Sequence, residues 1–149
     1  MAEMADKSQM DGVFALGLDV GNRRIGIAGC DPTGLIATGL GVIHRRSLKA
    51  DRLALQHWIT QRQATQIIVG LPYLHDGSLG SQAHKIQRFI AALDLGLPII
   101  YVDERHTTEA AEALLRELGI PPHQRSRLID QTAARIILQD WLDHHRRSC

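Results

Sequence analysis

The chain changes its hydrophobic period once, and that change limits the fold more than any other feature. Between residues 13 and 44 it carries three short apolar runs: Val13 to Val20, Ile25 to Cys30 and Leu35 to His44. Gly21-Asn22-Arg23-Arg24 and Asp31-Pro32-Thr33-Gly34 part them. Runs of this length, punctuated by Gly, Asn, Asp and Pro, predict an antiparallel meander of three strands. Leu48, Leu55, Trp58 and Ile59 then fall at helical spacing, so residues 48–63 read as an amphipathic helix. Beyond it, strand and helix alternate. Residues 66–72 and 99–102 read as strands. Residues 81–95 read as a helix closed by Gly96 and Pro98. Thr107 and Thr108 can cap a helix with Ala110, Ala111, Leu114, Leu115 and Leu118 on one face, ended by Gly119, Pro121 and Pro122. A last helix is expected from about Leu128 to His144. Such alternation requires crossovers and a parallel section of sheet. The expected fold class is α/β, a mixed sheet flanked by helices in the order βββ-α-β-α-β-α-α.

The length of 149 residues suits a single domain. Residues 1–11 are polar and are expected to be a flexible extension, with the domain spanning residues 12–149. No apolar run reaches the length of about 18 residues that crosses a membrane, and the N-terminus has no signal-peptide pattern. Two cysteines, Cys30 and Cys149, make neither a disulfide framework nor a zinc motif, which points to a cytoplasmic protein. Seventeen basic residues against 16 acidic ones give a net charge of +1. Function through bulk positive charge is therefore excluded, but charges segregated in space are not. With six aromatics in the whole chain, recognition by base stacking is not expected.

Three acids stand where acids are costly. Asp19 lies inside an otherwise apolar strand, and alternation places it with Val13, Ala15 and Gly17 on one face. A buried carboxylate needs a partner or a metal ion. Asp103-Glu104-Arg105 closes another apolar strand, and the carboxyl ends of parallel strands form ligand crevices. Neighbouring strand residues face opposite ways, so only one of the two acids can point at a given site. Glu104 is the expected inward ligand, with Asp103 in reserve and suited to cap the helix that follows. Asp130 shares a helical stripe with Ala134, Ile137 and Trp141 and is expected at the head of the last helix, bordering the core. Oxygen ligands from three separate elements suit Mg²⁺ or Mn²⁺. Two such ions would assist an in-line phosphodiester displacement. Basic residues flank the acids: Arg23 and Arg24 follow Asp19, and Arg125 and Arg127 precede Asp130. A further run, His44, Arg45, Arg46, Lys49 and Arg52, can touch phosphates or simply face solvent.

Four stretches carry a resemblance. They are Leu16-Gly-Leu-Asp-Val-Gly-Asn-Arg-Arg-Ile-Gly-Ile-Ala28, Ile68-Val-Gly-Leu-Pro72, Tyr101-Val-Asp-Glu-Arg105 with Thr107-Thr108, and Ile129-Asp-Gln-Thr-Ala-Ala-Arg-Ile-Ile-Leu-Gln139. In this order they resemble the YqgF/RuvX family of bacterial RNase H-fold proteins, associated with pre-16S rRNA processing and with Holliday junction resolution. The resemblance implies an RNase H-like sheet of five strands, three antiparallel and then two parallel. It implies a catalytic, metal-binding triad of Asp19, Glu104 (with Asp103 beside it) and Asp130, and nucleic-acid contacts from Arg23, Arg24 and Arg105; Arg125 and Arg127 are added as phosphate contacts from their place before Asp130 alone. It also implies a cytosolic monomer or homodimer. Two departures stand out. The family often has lysines and a glycine just before the last-helix aspartate, where this chain has Arg125-Ser126-Arg127-Leu128. Many RNase H-fold nucleases also carry an acid on the fourth strand. Residues 67–72 have none, so Glu104 must stand in.

The leading expectation is a metal-dependent endonuclease that processes the 5′ end of pre-16S rRNA in ribosome biogenesis, acting on structured RNA or on a ribosome precursor. The alternatives are a Holliday junction resolvase acting on branched DNA and a non-catalytic RNA-binding or transcription factor. An actin-like ATPase, which also has an Asp-x-Gly strand, needs far more chain.

Overall fold

Strand β1 (Ala15–Val20) is apolar at every position but one, because both of its faces are covered. A computed structural model describes residues 12–104 and 107–148. Around β1 lie β2 (Arg24–Cys30), β3 (Ala37–His44), β4 (Gln66–Leu71) and β5 (Ile99–Asp103), in the order β3-β2-β1-β4-β5. β1, β2 and β3 pair antiparallel, while β4 runs parallel to β1 and β5 parallel to β4. This is the expected mixed sheet of three antiparallel and two parallel strands. The helices are α1 (Leu48–Arg62), α2 (Ser81–Leu93), α3 (Thr107–Glu117) and α4 (Pro122–Ser148). None of the described helices is long and apolar enough to cross a membrane.

The pleat sorts the core into two parts. Leu16, Leu18 and Val20 of β1 join Ile25, Ile27, Ile67, Val69 and Leu71 under α1 and α2. Ala15 joins Ala28, Ile68 and the α4 residues Ala134, Ile137, Leu138 and Leu142 on the other face. The second core is built from smaller residues, and glycines line it. A Cβ on Gly17 would lie 2.7 Å from Cβ of Leu138, and one on Gly70 would lie 2.6 Å from Cδ1 of Ile137. At Gly26 an added carbon would run into the backbone carbonyl of Asp130 itself. These strands carry glycine because a helix comes within backbone contact of them.

Three sequence expectations need correction. α4 begins at Pro122, six residues before Leu128, since proline fits the first helical position, where its missing N–H costs no bond. Asp130 accordingly lies in the third turn of α4 and is not a first-turn acid. Leu35 and Ile36 do not belong to β3 and are exposed; their amides donate to the Asp31 carboxylate in the loop ahead of it. On the expected helix faces, Leu55, Ala111 and Leu115 are buried, but Leu48 and Leu118 remain exposed.

The glycine packing gives a direct stability test. Gly26→Ala must displace helix backbone and should lower the unfolding free energy by about 3 kcal/mol or more. Gly41→Ala, whose Cβ would rest 3.5 Å from the Trp58 ring, should change it by less than about 1 kcal/mol. Urea unfolding of the two variants checks the contrast; equal effects would contradict it.

Candidate active site

Asp19 pairs in register with Gly26 of β2, and Gly26 lies directly beneath the carbonyl of Asp130. The absence of a side chain at position 26 therefore lets α4 bring Asp130 to the edge where Asp19 sits. Glu104 arrives from the other side. Its N–H donates to the Leu71 carbonyl at 2.9 Å, which extends the β4–β5 pairing by one residue. Ile100 and Val102 pack into the α4 core, and Glu104 continues that face. Its side chain lies over Gly70, where an added carbon would come within 3.0 Å of Cβ and Cδ of Glu104. The space that a fourth-strand acid would fill is thus taken by the fifth-strand glutamate. Asp103 follows Ile99 and Tyr101 on the opposite face and is exposed, acting on Glu104 only through its charge. The geometry thus turns Glu104, not Asp103, towards Asp19.

Asp19 and Glu104 share a hydrogen bond, with Glu104 as the protonated partner that donates. Both carboxyls are pushed up. Burial raises Asp19 to about 6, with the charge of Asp130 adding to it and the bond from Glu104 opposing it. Burial raises Glu104 further, to about 8, helped by the charge of Asp19, their shared bond and the charge of Asp103. Asp130 has a different partner: Nε of Arg24 donates to its Oδ2 at 2.5 Å. That pair is more open, with the side chains 46% and 16% exposed, so its contribution to stability is modest.

Among the described residues, no group of three or more His, Cys, Asp or Glu is already placed to hold a metal ion. The donor chemistry nevertheless fits one. Two neighbouring carboxyls that retain a proton because burial, and then nearby negative charge, disfavours ionisation are an oxygen pair that a divalent cation can neutralise instead.

The expected phosphate-binding residues divide. Arg24 stands at the site, and Arg23 is exposed in the adjoining turn. Arg125 is half-buried and its Nε donates to the Ile120 carbonyl at 2.9 Å, so part of it stabilises the α3–α4 connection. Arg105 and the side chain of Arg127 lie outside the described residues. Sequence reasoning did not single out Gly26 and Gly70, although each is a glycine inside an apolar strand, the signal of a close backbone approach.

The family model RuvX, described as Holliday junction resolvase, matches residues 13–144. The chain belongs to the RuvX family. A relative from Synechococcus is 58% identical over 93% of this chain and 82% of its own length, and bears the name "Putative pre-16S rRNA nuclease". A Gloeobacter violaceus relative of the same name is 53% identical over 90% of this chain and 86% of its own length. Among solved structures, T. thermophilus RuvC in complex with a Holliday junction substrate aligns with a TM-score of 0.54 at 16% identity, covering 89% of this chain and 94% of that one. The Fowlpox virus resolvase in complex with junction DNA aligns at 0.55 and 11% identity, over 88% and 97% of the two chains. Identities this low speak for the fold alone, which is RNase H-like.

The raised acids of this RuvX-family chain make its stability fall with pH. Asp and Glu in an unfolded chain titrate near 4. Between there and about 8 the folded chain holds protons here that the unfolded chain has released. The contribution of this pair is therefore full below pH 4 and is lost as pH rises through 6 and 8. In EDTA, the melting temperature of Glu104→Gln relative to wild type should climb across that window, and Mn²⁺ at pH 8 should stabilise wild type more than the variant. A difference between the two proteins that is flat with pH would contradict the shared proton.

Proposed function

We propose that the chain is a metal-dependent endonuclease that trims the 5′ end of the 16S rRNA precursor. The observation that carries this reading is the Asp19–Glu104 pair, two partly buried carboxyls held together at a strand edge with Asp130 beside them. The names of relatives more than half identical along nearly the whole chain supply the RNA. Asp19, Glu104 and Asp130 are the catalytic acids, and their carboxylate oxygens hold Mg²⁺ or Mn²⁺. A divalent metal held there would supply positive charge to a phosphodiester displacement.

The chain's own residues do the rest. Glu104 would give up its proton if a cation were held beside Asp19. Asp103 keeps the local potential negative. Arg24 moves between Asp130 and a substrate phosphate, while Arg23, Arg105, Arg125 and Arg127 bind flanking phosphates and set the register of the strand. The setting is the cytoplasm, with a ribosome precursor presenting the RNA.

A second reading, cleavage of four-way DNA junctions, is favoured by the description of the family. It requires a two-fold dimer to incise both strands. Purified protein with Mn²⁺, offered precursor RNA and a four-way junction side by side, separates the two. RNA cleavage should dominate and should fall by about 100-fold or more in Asp19→Asn, as expected when a charge that organises the transition state is lost. Unchanged cleavage by Asp19→Asn would overturn the assignment of the acids, and preferential cutting of the junction would overturn the substrate.

A further inference from the structure

The basic run at residues 44–52 has no part in the acid cluster, and the structure distributes it unevenly. Arg52 is used internally: its Nε donates to the Leu93 carbonyl at 2.7 Å and its Nη2 to that of Ala92, which ties α1 to the end of α2. Arg45 and Arg46 instead border two adjoining cavities of about 300 and 350 Å³, which share Asn22, Arg45 and Phe89 and form one groove. Lys85 of α2 lines one end of it, and Arg46 and Ser47 line the other.

Arg45 is held firmly in this groove. Its guanidinium lies 3.8 Å over the Phe89 ring, its Nη1 donates to the Gly21 carbonyl at 2.6 Å, and its Nε stands 3.9 Å from Asp51. The hydrogen bond and the ion pair use Nη1 and Nε, not Nη2. Asp51 is the acid of the groove, and it is buried and already engaged: it accepts the Arg46 N–H at 3.0 Å and lies beside Arg45. With Asp51 balanced by Arg45, the exposed charges of Arg46 and Lys85 leave the groove net positive. The N-terminus of α1, capped by Ser47, adds the positive end of a helix. Fixed Arg donors, mobile cations, an exposed amide at Asn22 and a helix N-terminus together form a receptor for a phosphate group.

The groove adjoins the end of β1 that carries Asp19. Val20 lines it, and Asp19, one residue earlier, faces the opposite side of the sheet. Gly21 and Asn22, the turn that follows Asp19 and Val20, line it as well. We propose that this groove binds a backbone phosphate of the strand being cut, one separate from the phosphate at Asp19. The proposal rests on the nuclease reading and adds a second anchoring point to it.

The test is the salt dependence of binding in EDTA, using the nucleic acid that the wild-type protein cuts with Mn²⁺. Each lost phosphate contact lowers the slope of log affinity against log salt by about 0.7–0.9. Lys85→Gln and Arg46→Gln should each show that decrease. Arg116→Gln, an exposed arginine on α3, should not. All three side chains are exposed, and melting curves confirm that the variants are folded. Inorganic phosphate titrated calorimetrically into wild type and Lys85→Gln separates a backbone phosphate from a free anion. Phosphate binding that depends on Lys85 while the nucleic-acid slopes stay unchanged would make the groove a small-anion site and overturn the proposal. Retained cleavage with equal slopes in all four proteins overturns the groove alone. Failure of the wild type to bind or cut either substrate overturns the nuclease reading together with it.

Discussion

Helix α4 meets the sheet over a floor of glycines, and the candidate site exists because of that contact. Gly17, Gly26 and Gly70 lie on the face of β1, β2 and β4 that α4 covers, and at each an added methyl group would collide with the helix. With side chains there, the helix would ride higher on the sheet. Asp130 would then stand away from the register pair Asp19–Gly26, and Glu104 would have no room above Gly70. The opposite face has no such constraint. Leu16, Leu18, Ile27, Ile67 and Val69 fill it with bulk under α1 and α2. One face thus carries the bulkier side chains, and the other trades side-chain volume for a close approach that positions acids.

That arrangement also explains the near-zero net charge of +1. Acids that repel one another collect on the α4 face, and the basic groove opens on the α1–α2 face, lined in part by the Gly21–Asn22 turn. Arg24 pairs with Asp130 on the acid side. A phosphate backbone crossing this turn would meet cations on one side and, beside Asp19, carboxylates that require a metal ion before a phosphate can approach.

Much of this was legible in the sequence, because the relevant signals are local. The change of period after His44 specified the meander and the crossovers, and a lone acid in the β1 run marked Asp19. Strand alternation allowed only one of Asp103 and Glu104 to face the site, and the packing of Ile100 and Val102 under α4 puts Glu104 on that face. Signals that depend on tertiary contact were not legible. Pro122 reads equally well as a stop or as a first helical residue, and only packing decides between them. Arg125 and Arg52 look like surface cations, yet each donates to a backbone carbonyl elsewhere in the fold. Gly26 and Gly70 carry a visible mark, but their meaning depends on which helix lies above them.

The central claim is that α4 and the glycine floor assemble Asp19, Glu104 and Asp130 into one cation site. A crystal structure with Mn²⁺, phased on the anomalous signal of the ion, addresses it most directly. The expected result is an anomalous peak between the carboxyls of Asp19 and Glu104, with Asp130 turned from Arg24 towards it. A peak elsewhere, or a structure soaked in Mn²⁺ in which Glu104 still donates its proton to Asp19 and Arg24 still holds Asp130, would contradict it.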